Sequence, residues 1–284
     1  IPVAASMIIP SVSSGIEAVV QTMPGVSTFS ELTYQYSVRG GSYDENLVYI
    51  NDIEIIRPYL IRAGQQEGLS QINPDLVASV SFSPGGFSAA YGDRLSSVLD
   101  IRYRKPEKTE ASLSLSLLTS SAHAGFISTD KKFYVLSGIR YRSNALLLRS
   151  LDAAGNYNPF FSDIQAIAGY KTGPSSELKF SLWSSFNRYS FTPESQTTTF
   201  GSVFSAYKLF ALFEGGEKDH YDNLCSALTY DISHNRNLSS RFILSGNISS
   251  ENENHDIRGA YSLNSLDKTQ GSENNPDSLL NIGV

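Results

Sequence analysis

Four histidines and a single cysteine are the residues of this 284-residue chain best suited to metal or nucleophilic chemistry. His220 has Glu217 and Asp219 beside it, and His255 is followed by Asp256. Zinc sites legible in a sequence hold their ligands at short, fixed spacings. Two histidines in separate polar stretches make no such pattern, so no metal site is expected. Ser162, Asp163 and His123 supply the residue types of a nucleophilic triad, but no motif orders them, and no catalysis is expected. Cys225 stands alone, which excludes an intramolecular disulfide framework and a cysteine-rich zinc site. It alternates onto the polar face of its segment and is expected to be inert.

Two other constellations suggest binding. Phe200, Phe204, Tyr207, Phe210 and Phe213 crowd one stretch, with Phe204, Tyr207 and Ala211 at helical spacing. Such aromatics can hold a ligand or a partner, or form a small core of their own. Arg39 and Arg94 lie in glycine-rich turns, and Asp44, Glu45 and Asp52 follow Arg39 closely. On their own these are turn charges facing water. Lys and Arg number 22 against 28 Asp and Glu, a net charge of −6 that argues against general nucleic-acid binding.

The elements that must position these residues differ between the two parts of the chain. In the first part, Gly15 to Gln21 forms a short helix with Ile16, Val19 and Val20 on one face, ended by Pro24-Gly25. Tyr36 to Val38 and Leu47 to Ile50 read as strands, separated by Gly40-Gly41 and closed by the turn pair Asn51-Asp52. Ile55 to Ser70 is irregular. Leu76 to Phe82 leads to turns at Gly85-Gly86 and Tyr91-Gly92-Asp93-Arg94, and Ser97 to Tyr103 is again a strand.

Past Pro106 the texture becomes strict alternation. Seven strands are expected, starting near Ala111, Ser121, Phe133, Phe160, Leu178, Tyr221 and Phe242, with an eighth beginning near Leu279. Long links are expected at Ser143–Pro159, Thr192–His220 and Glu251–Ser278, and short polar turns at Thr129–Lys132, Gly173–Ser176 and Ser233–Asn237. Strands of about 9–11 residues with short turns on one side and long loops on the other are what an outer-membrane barrel shows. No stretch has the roughly 18 apolar residues of a transmembrane helix, which leaves a barrel open.

The motifs Met23-Pro24-Gly25-Val26, Val38-Arg39-Gly40-Gly41, Val48-Tyr49-Ile50-Asn51-Asp52 and Gly85-Gly86-Phe87 through Tyr103 resemble the plug of TonB-dependent outer-membrane receptors, Bacteroidetes type. Ile53 stands where the family often has Gly. The resemblance covers Gly15 to Pro106. It implies a mixed α+β plug domain over residues 1–108, followed at 109–284 by antiparallel transmembrane β-barrel strands, an incomplete portion of a barrel of roughly 22 strands. The chain is accordingly expected to be an N-terminal fragment.

The resemblance further implies TonB-dependent uptake of a scarce ligand (siderophore, vitamin, glycan or peptide), with the plug gating the lumen. It implies the TonB–ExbB–ExbD complex as energy-coupling partner, a surface lipoprotein as a further candidate partner, contact with outer-membrane lipid, and no cofactor. The signature residues Arg39, Gly40, Gly41, Asp52, Gly85, Gly86, Gly92 and Arg94 would fold and seat the plug, the arginines docking to wall carboxylates. Arg140 and Arg142 would face the lumen, either contacting the plug or standing solvated. A barrel used for signalling or partner docking is the first alternative. A soluble all-β carbohydrate-binding protein is the second, disfavoured by apolar faces on consecutive strands.

Overall fold

The computed structural model describes residues 15–29, 33–56, 70–143, 145–146, 155–201, 206–266 and 279–280. The chain divides into two compact units, one of 1–143, 160–187 and 221–251 and the other of 144–159, 188–220 and 252–284.

In the first unit, helix α1 (Ile16–Gln21) buries Ile16, Val19 and Val20 and stops at Thr22, whose N–H and hydroxyl both turn back onto the carbonyl of Val19. Met23-Pro24-Gly25 then leads into β1 (Val26–Ser27), which pairs with β2 (Ser37–Val38). Next comes a mixed sheet of four strands, β3 (Asn46–Ile50), β4 (Ile53–Glu54), β5 (Val77–Ser83) and β6 (Ser97–Tyr103), in the order β4-β3-β6-β5. β3 and β6 are parallel and buried on both faces, as the unbroken apolar run Leu47-Val48-Tyr49-Ile50 requires. Asn51 and Asp52 both have positive φ, 53° and 66°, and so make a two-residue hairpin turn between β3 and β4. Asparagine and aspartate tolerate that region, so the turn needs no glycine at Ile53, which is instead a buried residue of β4. Of the stretch expected to be irregular, 57–69 lies outside the described residues.

The remaining strands form one large sheet: β7 (Glu110–Leu115), β8 (Thr119–Ile127), β9 (Phe133–Arg142), β10 (Gly155–Tyr157), β11 (Phe160–Gly173), β12 (Ser176–Pro193), β13 (Gln196–Gly201), β14 (Ala206–Asn235), β15 (Leu238–Leu266) and β16 (Leu279–Leu280). Its main path runs β16-β15-β14-β12-β11-β9-β8-β7, with β10 on β12 and β13 on β14. All seven expected strands are present in order, and Leu279-Leu280 pairs with β15. The first strand ends sooner than its serine–leucine alternation suggested. Ser116 accepts and donates hydrogen bonds across to Thr119, making a tight turn that leaves Leu117 86% exposed.

Two expected loops are strand instead. Most of Thr192–His220 belongs to β12, β13 and β14, and β15 continues through Glu251 to Leu266. Tyr207 and Ala211 therefore sit on a strand, not a helix; Phe204 lies outside the described residues. A ladder is held by backbone hydrogen bonds and needs no apolar alternation, so it continues where the two faces are alike.

The two faces of the sheet differ sharply in the first unit. On β9, Ile139 and Tyr141 are exposed while Leu136, Arg140 and Arg142 are buried; on β11, Ile164 and Tyr170 are exposed while Asp163, Gln165 and Ile167 are buried. The buried face closes on the first hundred residues. Tyr134, Leu136, Ile167, Trp183, Cys225 and Ala227 from the sheet belong to the same apolar cluster as Ile16, Tyr36, Ile72 and Leu99. Cys225, expected on the polar face of its segment, is buried in this apolar cluster. Each fully buried aliphatic side chain contributes about 1.5–3 kcal/mol, so this shared core fixes the small sheet against the large one.

In the second unit, aromatic pairs bind the strand ends. Tyr157 stacks on Phe191 at 4.5 Å and Phe200 on Tyr207 at 6.0 Å between ring centroids. Phe213 meets Tyr261 edge-on at 6.0 Å.

Candidate functional site

The signature residues of the first hundred positions converge on one another. Arg39 has φ 51°, and its N–H donates to the carbonyl of Gly25 at 2.8 Å. Gly85, at φ 86°, faces the Arg39 guanidinium. A side chain at Gly41 would lie 1.8 Å from the Ser96 hydroxyl, which itself donates to the carbonyl of Val38 at 3.0 Å. Arg94 donates to the carbonyl of Asp44 at 2.6 Å. Gly40 and Gly86 supply further positive-φ turns, and Gly92 has open space around it. This contact of Arg94 lies within its own domain. Of these residues, Asp52 reaches the large sheet: it accepts from Arg102 of its own domain and from Arg241 of β15.

The seating contacts run mainly the other way, from arginines of the large sheet inward. Arg140 and Asp163 face each other across β9 and β11, 5% and 2% exposed. The guanidinium Nε donates to both carboxylate oxygens, at 2.9 and 3.2 Å. Its Nη1 donates to the carbonyl of Ile72 at 2.7 Å, and its Nη2 to Asp163 and, at 2.7 Å, to the carbonyl of Ser70. Gln165 extends the network. Its amide donates to the carbonyl of Gln71 at 2.8 Å, and its oxygen accepts from the Tyr103 hydroxyl at 2.6 Å. Burial pushes the Tyr103 phenol up, so it remains a donor at any ordinary pH. Arg142, 1% exposed, donates to the Tyr34 hydroxyl and lies 5.5 Å from that ring's centroid.

Close backbone approach completes the seat. A side chain at Gly138 of β9 would sit 2.6 Å from the Asn73 amide nitrogen and 3.3 Å from Leu76. Asn73 opens the 3-10 turn Pro74–Leu76, accepting from the Asp75 N–H at 3.1 Å. Asp75 in turn accepts from the Ser121 hydroxyl of β8 at 3.0 Å. A second, more exposed chain of charges links Asp52, Arg241, Asp231 and Lys179, with Lys179 2.8 Å from Asp231. Glu177 joins Lys179 at 3.3 Å and Lys105 at 2.6 Å. Arg102 holds the Asp52 carboxyl below its ordinary value, first through its hydrogen bond.

Sequence reasoning placed Arg140 and Arg142 on the inner face. It missed Asp163, Gln165 and Gly138 as their partners. An isolated glycine inside an alternating strand is a signal of close backbone approach and could have flagged Gly138. Ser162, Asp163 and His123 form no triad: Asp163 is taken by Arg140, and His123 stands 4.0 Å from Asp75. His220 is exposed and faces away from Glu217 and Asp219.

The first hundred residues also match a known family. The model of the TonB-dependent Receptor Plug Domain matches residues 7–97. That stretch is a plug domain of the TonB-dependent receptor type. It is followed by antiparallel barrel-type strands. Among solved structures, the outer membrane transporter YddB from Escherichia coli is similar at 9% identity and TM-score 0.50, over 94% of this chain and 54% of that one. The siderophore receptor PirA from Pseudomonas aeruginosa is similar at 12% identity and TM-score 0.46, over 93% and 48%. The hemophore receptor HasR from Serratia marcescens, in complex with its hemophore HasA and heme, is similar at 11% identity and TM-score 0.47, over 88% and 46%. The chain thus spans about half the length of the solved structures it matches. No curated protein sequence matches it. No described helix is long and apolar enough to cross a membrane, which says nothing of a β-barrel.

Proposed function

We propose that this chain, with a plug over residues 1–108 and wall strands over 109–284, belongs to an outer-membrane receptor that takes up a scarce ligand using energy delivered through TonB. The observation that carries this reading is the division of the wall's two faces. Its inner face meets the plug through buried arginines, while its outer face presents Ile139, Ile164 and Leu228 at 51%, 43% and 42% exposure. A soluble sheet would bury such a row on a second layer, whereas lipid accepts it. Plug domains held by a few polar contacts over a shared core can be displaced without unfolding the wall, which is what a gate requires. The ligand is a siderophore, vitamin, glycan or peptide, and the exposed aromatics Phe200 and Tyr207, with Phe210 and Phe213, are proposed contacts for it or for a surface lipoprotein partner.

The test is a deletion of the full-length gene in its host, followed by growth on ferric siderophores, cobalamin, oligosaccharides or peptides as limiting nutrient, with TonB present or deleted. The deletion should abolish use of one of these, and TonB deletion should do the same. Recovery of the full-length protein in the soluble fraction without detergent would overturn the reading, as would uptake indifferent to TonB.

A further inference from the structure

Glu217, Asp219 and His255 bring two carboxylate oxygens and an imidazole nitrogen within 4.8 Å of one another. The period-2 geometry of β14 puts Glu217 and Asp219 on one face, 9% and 0% exposed. His255 comes from β15, its side chain 41% exposed. The approach of the two strands here is built in. Gly215 has φ 86°, and a Cβ on it would lie 1.7 Å from the carbonyl oxygen of Asp256. Any other residue would push β14 away from the backbone beside His255. Carboxylates flank the imidazole at both nitrogens: Nδ1 is 3.2 Å from Glu217 Oε1, and Nε2 is 3.8 Å from Glu253 Oε2.

We propose that Glu217, Asp219 and His255 form a binding site for a divalent transition-metal ion of the zinc class, with Glu253 orienting the imidazole from its far nitrogen. Donors around one tetrahedral ion, each about 2.0–2.2 Å from it, lie about 3.3–3.6 Å apart. The observed spread is up to about 1 Å wider, and side-chain rotation of His255 and the carboxylates on binding closes it. The nitrogen donor decides the metal class. Calcium and magnesium take oxygen ligands, whereas an imidazole with carboxylates suits zinc and its neighbours. A carboxylate behind a ligating histidine is the arrangement that fixes its ring and raises its basicity. Three protein ligands leave a fourth position for water or for a donor atom of a bound solute. The exposed edge of His255 gives the ion a way in, while the carboxylates are withdrawn from water. The site does not depend on the uptake reading, because ion binding is measured directly.

The experiment uses the full-length receptor, purified in detergent, stripped with a chelator and titrated with Zn2+ by calorimetry and with Co2+ by visible absorption. About one ion should bind per chain, with a d–d spectrum of low coordination number and no displacement by excess Ca2+. His255→Ala and Glu217→Gln should abolish binding, Glu253→Gln should weaken it about 10- to 100-fold, and Asp256→Asn should leave it unchanged. His255→Cys, which keeps a ligand, should restore Co2+ binding with a sulfur charge-transfer band, separating ligation from damage to the fold. Absence of binding to the parent protein, displacement by Ca2+, or binding unaltered in both His255→Ala and Glu217→Gln would overturn the proposal.

Discussion

Replacing Arg140 by alanine should loosen the plug more than any other single truncation of a charged residue in the wall. Arg140 and Asp163 are both buried, and the guanidinium also carries two hydrogen bonds to plug carbonyls, at 2.7 Å each. Removing one member of a buried pair leaves an uncompensated charge, which costs about 3–5 kcal/mol. Within that, each charge-assisted bond to Ile72 and Ser70 is worth about 1.5–3 kcal/mol. The expected loss is therefore a large share of the stability of a domain of this size, typically about 5–15 kcal/mol. Trp183 is the sole tryptophan of the 284 residues and is 1% exposed in the shared core, so it reports plug release. Urea titration of the full-length protein in detergent, with Trp183→Phe as the blank, gives the midpoint. Arg140→Ala and Asp163→Ala should each lower it, and the double variant should fall well short of their sum, because removing both leaves no stranded charge. Strict additivity within about 0.5 kcal/mol would refute the pair as the seat.

Three more expectations follow from the same contacts. Gly138→Ala should displace Asn73 from its turn and cost about 1–3 kcal/mol of plug seating, read by the same titration. Asp52 has a folded-state pKa below its ordinary value of 3.8, so its contribution is complete above that value and is lost as pH falls through the folded one. Asp52→Asn should flatten the loss of plug stability in acid, by about 1 kcal/mol or less since the group is partly exposed, and high salt should mimic the substitution. Leu228→Arg on the outer face should cost about 2–4 kcal/mol if that residue lies near the bilayer midplane, seen as reduced insertion into liposomes, whereas an inner-face change such as Thr229→Ser should not impair insertion.

The plug was legible because its turns are written in chemistry that few residues can supply. Arg39-Gly40, Asn51-Asp52 and Gly85-Gly86 mark positive-φ positions, and the apolar run at Leu47 marks a strand buried on both faces. The wall was legible wherever one face is buried and the other exposed, since alternation then records both environments, as in β9. That signal ends where the faces are alike. The run from Ala206 to His220 looks like a loop in sequence and is ladder in space. Cross-strand partners were illegible for a related reason: register is set by backbone pairing, so nothing in the spacing of Arg140 and Asp163, or of Glu217 and His255, announces that they meet. The arginines of the plug signature were read as the seating charges; Arg94 bonds the carbonyl of Asp44, and Arg140 of the large sheet bonds the carbonyls of Ile72 and Ser70.

The central claim is that the first hundred residues sit inside the wall formed by the strands that follow, in a membrane. It is tested most directly by a disulfide between Asp75→Cys and Ser121→Cys in the full-length protein, with Cys225→Ser to remove the native thiol. These side chains now meet at 3.0 Å, one from the plug and one from β8. The account predicts that the bond forms in the outer-membrane fraction, shifts electrophoretic mobility, and blocks ligand uptake until reductant is added. A protein found in the soluble fraction, or cysteines that stay unpaired under oxidation in a correctly inserted receptor, would contradict it.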